Sequence, residues 1–117
     1  MKNILVPTDF SACAEYAIDL GFAFAEFFDA RLYLFSCIDL PSNWDITSDE
    51  EMDEMPKQQQ LIENAKVLLE KWEDRARREK IKLKTIVSSG GFLTELQSNI
   101  TDNKIDFVVM GSHGVSG

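Results

Sequence analysis

Histidine occurs once in this chain, as His113, and cysteine twice, as Cys13 and Cys37. One imidazole and two separated thiols supply neither a zinc-ligand spacing nor a disulfide framework. Both cysteines are expected to act as small apolar residues in the interior. Long apolar runs are also lacking. The N-terminal stretch MKNILVP is too short for a signal peptide. Residues 17–28, the most apolar segment, are interrupted by Asp19 and Glu26, which argues against a membrane span. Positive charge is scarce: 12 Lys and Arg face 20 Asp and Glu, for a net charge of −8. A field of that sign disfavours nucleic acid and anionic membranes as main partners. A soluble, cytoplasmic protein is the expectation.

What is present is a single domain's worth of chain, 117 residues with 44% apolar side chains. That is enough to bury a core. NILV (residues 3–6), closed by Pro7, is a short apolar run of the kind found in strands buried on both faces. Ser11 offers a helix N-cap. Ala14, Ala17, Ile18, Gly21, Phe22, Ala25 and Phe28 then recur at helical spacing, with Gly21 and the alanines allowing close approach to a sheet. RLYLFSCI (31–38) reads as a second strand. From Asp39 to Glu54 there are seven carboxylates and no base, expected to form a solvated loop punctuated by Pro41 and Pro56.

A helix is predicted from Lys57 to about Lys80, with Leu61, Ala65, Leu68, Leu69, Trp72 and Ala76 on its apolar stripe. KLKTIVSS (82–89) is predicted as a strand near a sheet edge. Gly90 and Gly91 turn the chain, Phe92 to Ile100 makes a short helix, and IDFVVMG (105–111) is a fourth strand. The order β-α-β-α-β-α-β implies an α/β fold: a doubly wound, Rossmann-like parallel sheet with helices on both faces.

Ligands of such sheets bind beyond the carboxyl ends of the strands, where the winding reverses. The residues there are Pro7-Thr8-Asp9-Phe10-Ser11, Cys37-Ile38-Asp39, Ser88 to Gly91, and Gly111 to Gly117. In the last stretch three glycines are spaced three apart. The turn is neither G-x-G-x-x-G nor G-x-x-x-x-G-K-[ST], and it holds no lysine to meet a phosphate. Exposed backbone N–H groups could still face an anion there, although glycines also end strands for conformational reasons alone.

NILVPTDFS at one end and DFVVMGSHGVSG at the other closely resemble the two signature stretches of the universal stress protein family. The resemblance covers the whole chain, residues 1–117. It implies strand order 3-2-1-4-5, with the fifth strand missing here, so that Asp9 and Gly111 become neighbours. Nucleotide-binding members carry G-x-x-G, nine residues, then G-[ST]. Gly111 and Gly114 match the first half, and the second half falls past Gly117. The chain is therefore expected to be a C-terminally truncated domain with weakened nucleotide affinity.

The resemblance implies a cofactor, ATP or a related adenine nucleotide, and is compatible with an accompanying magnesium ion. It gives Asp9 a nucleotide-contacting role; capping the following helix is the structural alternative. Pro7 and Thr8 would shape the same wall, Thr8 through its backbone. Cys37 stands where relatives place a small residue whose backbone faces adenine, and a structural thiol suits it equally. Met110 and Gly111 match pocket-lining positions, with Ser112, His113 and Gly114 in the phosphate turn. His113 is read as a loop hydrogen-bonding residue, since no serine–histidine–acid constellation accompanies it. Asp39 as a ribose ligand lacks the glycine turn of a dinucleotide fold, and Trp44 and Trp72 are read as packing groups. The implied function is a stress-response regulatory module, a homodimer when intact, and not an efficient enzyme. Two alternatives stand beside it: a dimerisation module that binds no nucleotide, and a slow ATP hydrolase using Asp9.

Overall fold

The structure, a computed structural model, describes residues 2–38 and 49–111, with 49–58 as backbone only. Four strands and three helices alternate along it: β1 (Asn3–Pro7), α1 (Ala12–Phe28), β2 (Arg31–Ile38), α2 (Asp49–Glu79), β3 (Leu83–Ser89), α3 (Phe92–Asp102) and β4 (Phe107–Val108). The sheet order is β3-β2-β1-β4, every pair parallel. Leu5 sits opposite Tyr33 on one side and Val108 on the other. The doubly wound α/β sheet is thus the fold, and β3 lies at an edge.

Side chains alternate across a strand, so the two faces of β1 and β2 enter different cores. Ile4, Val6, Leu32 and Leu34 pack under α1 and α2, against Ile18, Phe22, Leu69 and Trp72. Leu5, Tyr33 and Phe35 pack under α3, against Leu96. Burial on both faces is why these strands read as unbroken apolar runs. Each fully buried residue of this size contributes roughly 1.5–3 kcal/mol over an exposed one. Trp72 lies 6.2 Å from Phe22, ring to ring, and is a core residue as read from the sequence.

Two residues explain how α1 and α2 sit together on one face. A β-carbon on Gly21 would lie 2.7 Å from Val6 Cγ2, so only glycine lets α1 approach β1 this closely. Arg75 of α2 lies over the Phe22 ring at 4.3 Å and bonds Asp19 of α1 at 2.5 Å and Glu79 at 2.8 Å. Partial burial penalises its charge, but the hydrogen bonds to Asp19 and Glu79 outweigh that and raise its pKa.

Three expectations need correcting. The second helix begins at Asp49, not Lys57, so the acidic run and Pro56 belong partly to its first turns. Carboxylates at a helix N-terminus complement the macrodipole, which offsets their poor fit to a helix elsewhere. Leu61 and Leu68, assigned to the buried stripe, are 50% and 48% exposed. A 31-residue helix is about 46 Å long, whereas the eight residues of β2 span about 26 Å. The helix therefore outruns the sheet, and Ala65, Leu69, Trp72 and Ala76 form the line that faces it. The fourth strand is two residues long, although its chain continues alongside β1 through a bond from Val109 N–H to the Leu5 carbonyl at 2.9 Å.

Candidate functional site

After β1 the backbone is set by four hydrogen bonds, one to the neighbouring strand and three local. Thr8 N–H donates to the Phe35 carbonyl at 2.8 Å, extending the β1–β2 ladder by one residue. Thr8 Oγ1 accepts from Phe10 N–H at 3.0 Å, and Asp9 Oδ1 accepts from Ser11 N–H at 3.0 Å. Ser11 Oγ then accepts from Ala14 N–H at 3.2 Å and caps α1, as its position predicted. Phe10, whose own N–H and the N–H after it are taken by those two side chains, has φ of 66°. That left-handed conformation is uncommon for a bulky residue and is held by the bonds on either side of it.

The chain leaving β4 passes directly over the start of α1. A β-carbon on Gly111 would lie 2.6 Å from the Cys13 carbonyl oxygen and 3.0 Å from Ala14 N. Gly111 is thus required by close backbone approach, whatever its role toward a ligand. On the other side, the end of β2 is tied to the turn before α3. Gly90 N–H donates to the Ile38 carbonyl at 3.0 Å, and the Cys37 thiol donates to the Gly90 carbonyl at 3.5 Å. Gly90 itself has φ of 127°, a conformation open to glycine.

These three loops enclose one cavity of about 280 Å³, near the lower end of the range for small-molecule sites. Pro7, Thr8 and Asp9 line it from β1, Cys37 from β2, and Met110 and Gly111 from the end of β4. Six of the nine residues singled out in the sequence therefore meet around a single space. Ser112, His113 and Gly114 lie outside the described residues, as do Asp39 and Trp44. Asp9 is not the cap of α1, the alternative considered for it: Ser11 fills that position, and the Asp9 carboxylate holds the turn ahead of it.

Two lining residues escaped the sequence reading, Ala14 and Phe92. Ala14 is the residue whose N–H Ser11 caps, so the cap itself pointed to it. Phe92 opens α3 immediately after the glycine turn, where an apolar residue reads as core. Its ring lies 6.1 Å from that of Phe35.

Chemically, the cavity's lining divides into apolar residues, Pro7, Cys37, Phe92 and Met110 among them, and polar groups, Thr8, Asp9 and the Gly111 backbone. Such a division suits a ligand with a planar apolar part joined to a hydroxylated or anionic part. Among the described residues no group of three or more His, Cys, Asp or Glu is placed to hold a metal ion. None of the described helices is long and apolar enough to cross a membrane.

A family model described as the universal stress protein family matches residues 1–117. No curated protein sequence matches the chain. Among solved structures, the hypothetical protein MJ0577 is 34% identical, with a TM-score of 0.78 over 97% of this chain and 76% of that one. A protein of the universal stress protein family from Burkholderia pseudomallei has a TM-score of 0.79 at 20% identity, covering 98% of this chain and 84% of its own. One from Arabidopsis thaliana, with AMP bound, has a TM-score of 0.63 at 14% identity, covering 99% and 79%. The last two likenesses speak to the fold alone. With the family model spanning the whole chain and a third of its residues shared with a solved neighbour, this chain belongs to the universal stress protein family.

Proposed function

We propose that this domain is a stress-response regulatory module that binds ATP or a related adenine nucleotide in the cavity between the ends of β1, β2 and β4. One observation carries the reading: Asp9 and Gly111, 102 positions apart in sequence, line the same small space. The AMP held by a protein of the same fold supports it. In this reading the base packs against the apolar lining residues Pro7, Cys37 and Met110. The Asp9 carboxylate accepts from ribose hydroxyls while keeping its bond from Ser11 N–H. Thr8 shapes the wall from behind. Gly111, followed by Ser112, His113 and Gly114, carries the backbone toward the phosphates, with magnesium as their companion ion. The output is a change in stability or in partner binding, not turnover. The domain acts as a cytoplasmic homodimer.

A ligand that binds only the folded state stabilises it by about 2.7 kcal/mol at one hundred times its dissociation constant. Titration of AMP and ATP, with thermal unfolding as a second readout, therefore tests the proposal. Wild type should bind and melt higher, and Asp9→Ala should lose most of that shift. Asp9→Ala also removes the turn bond, so its melting point without ligand is the necessary control. No binding of either nucleotide by wild type rejects the reading.

A further inference from the structure

The cavity wall contributed by α3 has no counterpart among the residues that the family signature points to. Phe92 is the first residue of that helix and is half-buried, with its side chain shared between the cavity and the core under α3. The ring packs on Phe35 at a centroid distance of 6.1 Å and a tilt of 48°, within the range of favourable aromatic pairs. Phe35 is itself fully buried and lies opposite Pro7 in the sheet, so the ring rests on a fixed floor. The turn that delivers it is fixed as well. Gly90 is bonded to β2 through its N–H to Ile38 and through its carbonyl to the Cys37 thiol.

We propose that the Phe92 ring is the base-contacting wall of this cavity and sets its preference for ligands with a planar aromatic base. The inference rests on the nucleotide reading above and deepens it. Pro7, Cys37 and Met110 offer no aromatic face, and among the described lining residues Phe92 supplies the one ring. Asp9 lines the same cavity and supplies a carboxylate for the sugar, as the ring supplies a face for the base. A ring anchored against Phe35 loses little freedom when a base settles against it, so the contact is preorganised.

Base–aromatic contacts removed by substitution cost on the order of 5- to 100-fold in affinity. Two variants separate the ring from its bulk. Phe92→Leu keeps apolar volume against Phe35 without an aromatic face, and Phe92→Tyr keeps the face. Titrated with AMP, Phe92→Leu should bind about 5- to 100-fold more weakly than wild type, and Phe92→Tyr within about twofold of it. Nuclear Overhauser contacts between the adenine H2 and H8 protons and a phenyl ring should appear in wild type and vanish in Phe92→Leu. Undiminished AMP binding by Phe92→Leu overturns this inference and leaves the nucleotide reading standing. An equal loss in both variants also overturns it, because the ring would then act only through packing. Failure of wild type to bind AMP overturns both readings together.

Discussion

Gly111 and Cys13 are in such close contact that a single added carbon on the glycine would stand 2.6 Å from the cysteine's carbonyl oxygen. The obstacle is backbone in the first turn of a capped helix, which cannot swing aside as a side-chain tip would. Gly111→Ala therefore has to move either the end of β4 or the start of α1. Overpacking of this kind costs about 1–3 kcal/mol. Chemical denaturation should show a loss of that size, and the AMP binding proposed above should weaken alongside, because both displaced segments line the cavity. A variant as stable as wild type would show that the approach is looser than described.

The second prediction concerns acid. The Asp106 carboxylate accepts from Lys2 N–H at 2.9 Å and from Asn3 N–H at 3.0 Å, and the Asp106 N–H returns a bond to the Asn3 carbonyl at 2.9 Å. Those two backbone donors hold its pKa below the ordinary 3.8. A carboxyl group that titrates lower when folded stabilises the fold at pH above its unfolded value. That contribution is lost as pH falls through the folded one. Asp106→Asn should accordingly be less stable than wild type at neutral pH. The gap in denaturation midpoint should close as pH drops below 3.8. A gap that persists unchanged in acid would assign it to geometry alone.

Helix ends give the third. All three helices stop in the same way, with paired bonds back into the last turn: Ala30 N–H to Ala25, Ile81 N–H to Ala76, and Ile105 N–H to Ile100. The residue before each donor is left-handed, and none is glycine: Asp29 (φ 53°), Lys80 (φ 59°) and Lys104 (φ 52°). Left-handed backbone costs an L-residue about 1 kcal/mol or more, and glycine is the usual occupant of this stop. Lys80→Gly and Lys104→Gly should each raise stability by up to about 1 kcal/mol, the gain at Asp29 being smaller because aspartate tolerates the conformation. The two lysine gains should add, since the helix ends share no partner.

At the same three positions the ends of the helices were legible from the fading apolar spacing, but their backbone angles were not. Strands and the inner faces of the helices were legible because alternation and helical spacing follow from which side faces the core. Ser11 and Gly21 were legible for local reasons, a cap and a close approach. Helix ends at Asp29, Lys80 and Lys104 carried no glycine to mark them, and only the fold imposes their backbone angles. The early start of α2 was hidden because seven acidic residues look like a loop wherever the helix dipole is not considered. Within the cavity, the strand-end residues could be foreseen from the topology. Phe92 could not, because whether its ring meets a core or a cavity depends on how α3 docks against Phe35.

The pairing of β4 with β1 has a bearing on how the molecule is made. Synthesis delivers the β1 wall of the cavity about a hundred residues before the β4 wall. Until the later segment docks, the nascent domain has a partial sheet and nothing to enclose a small molecule. The cavity is therefore complete only once β4 has paired with β1.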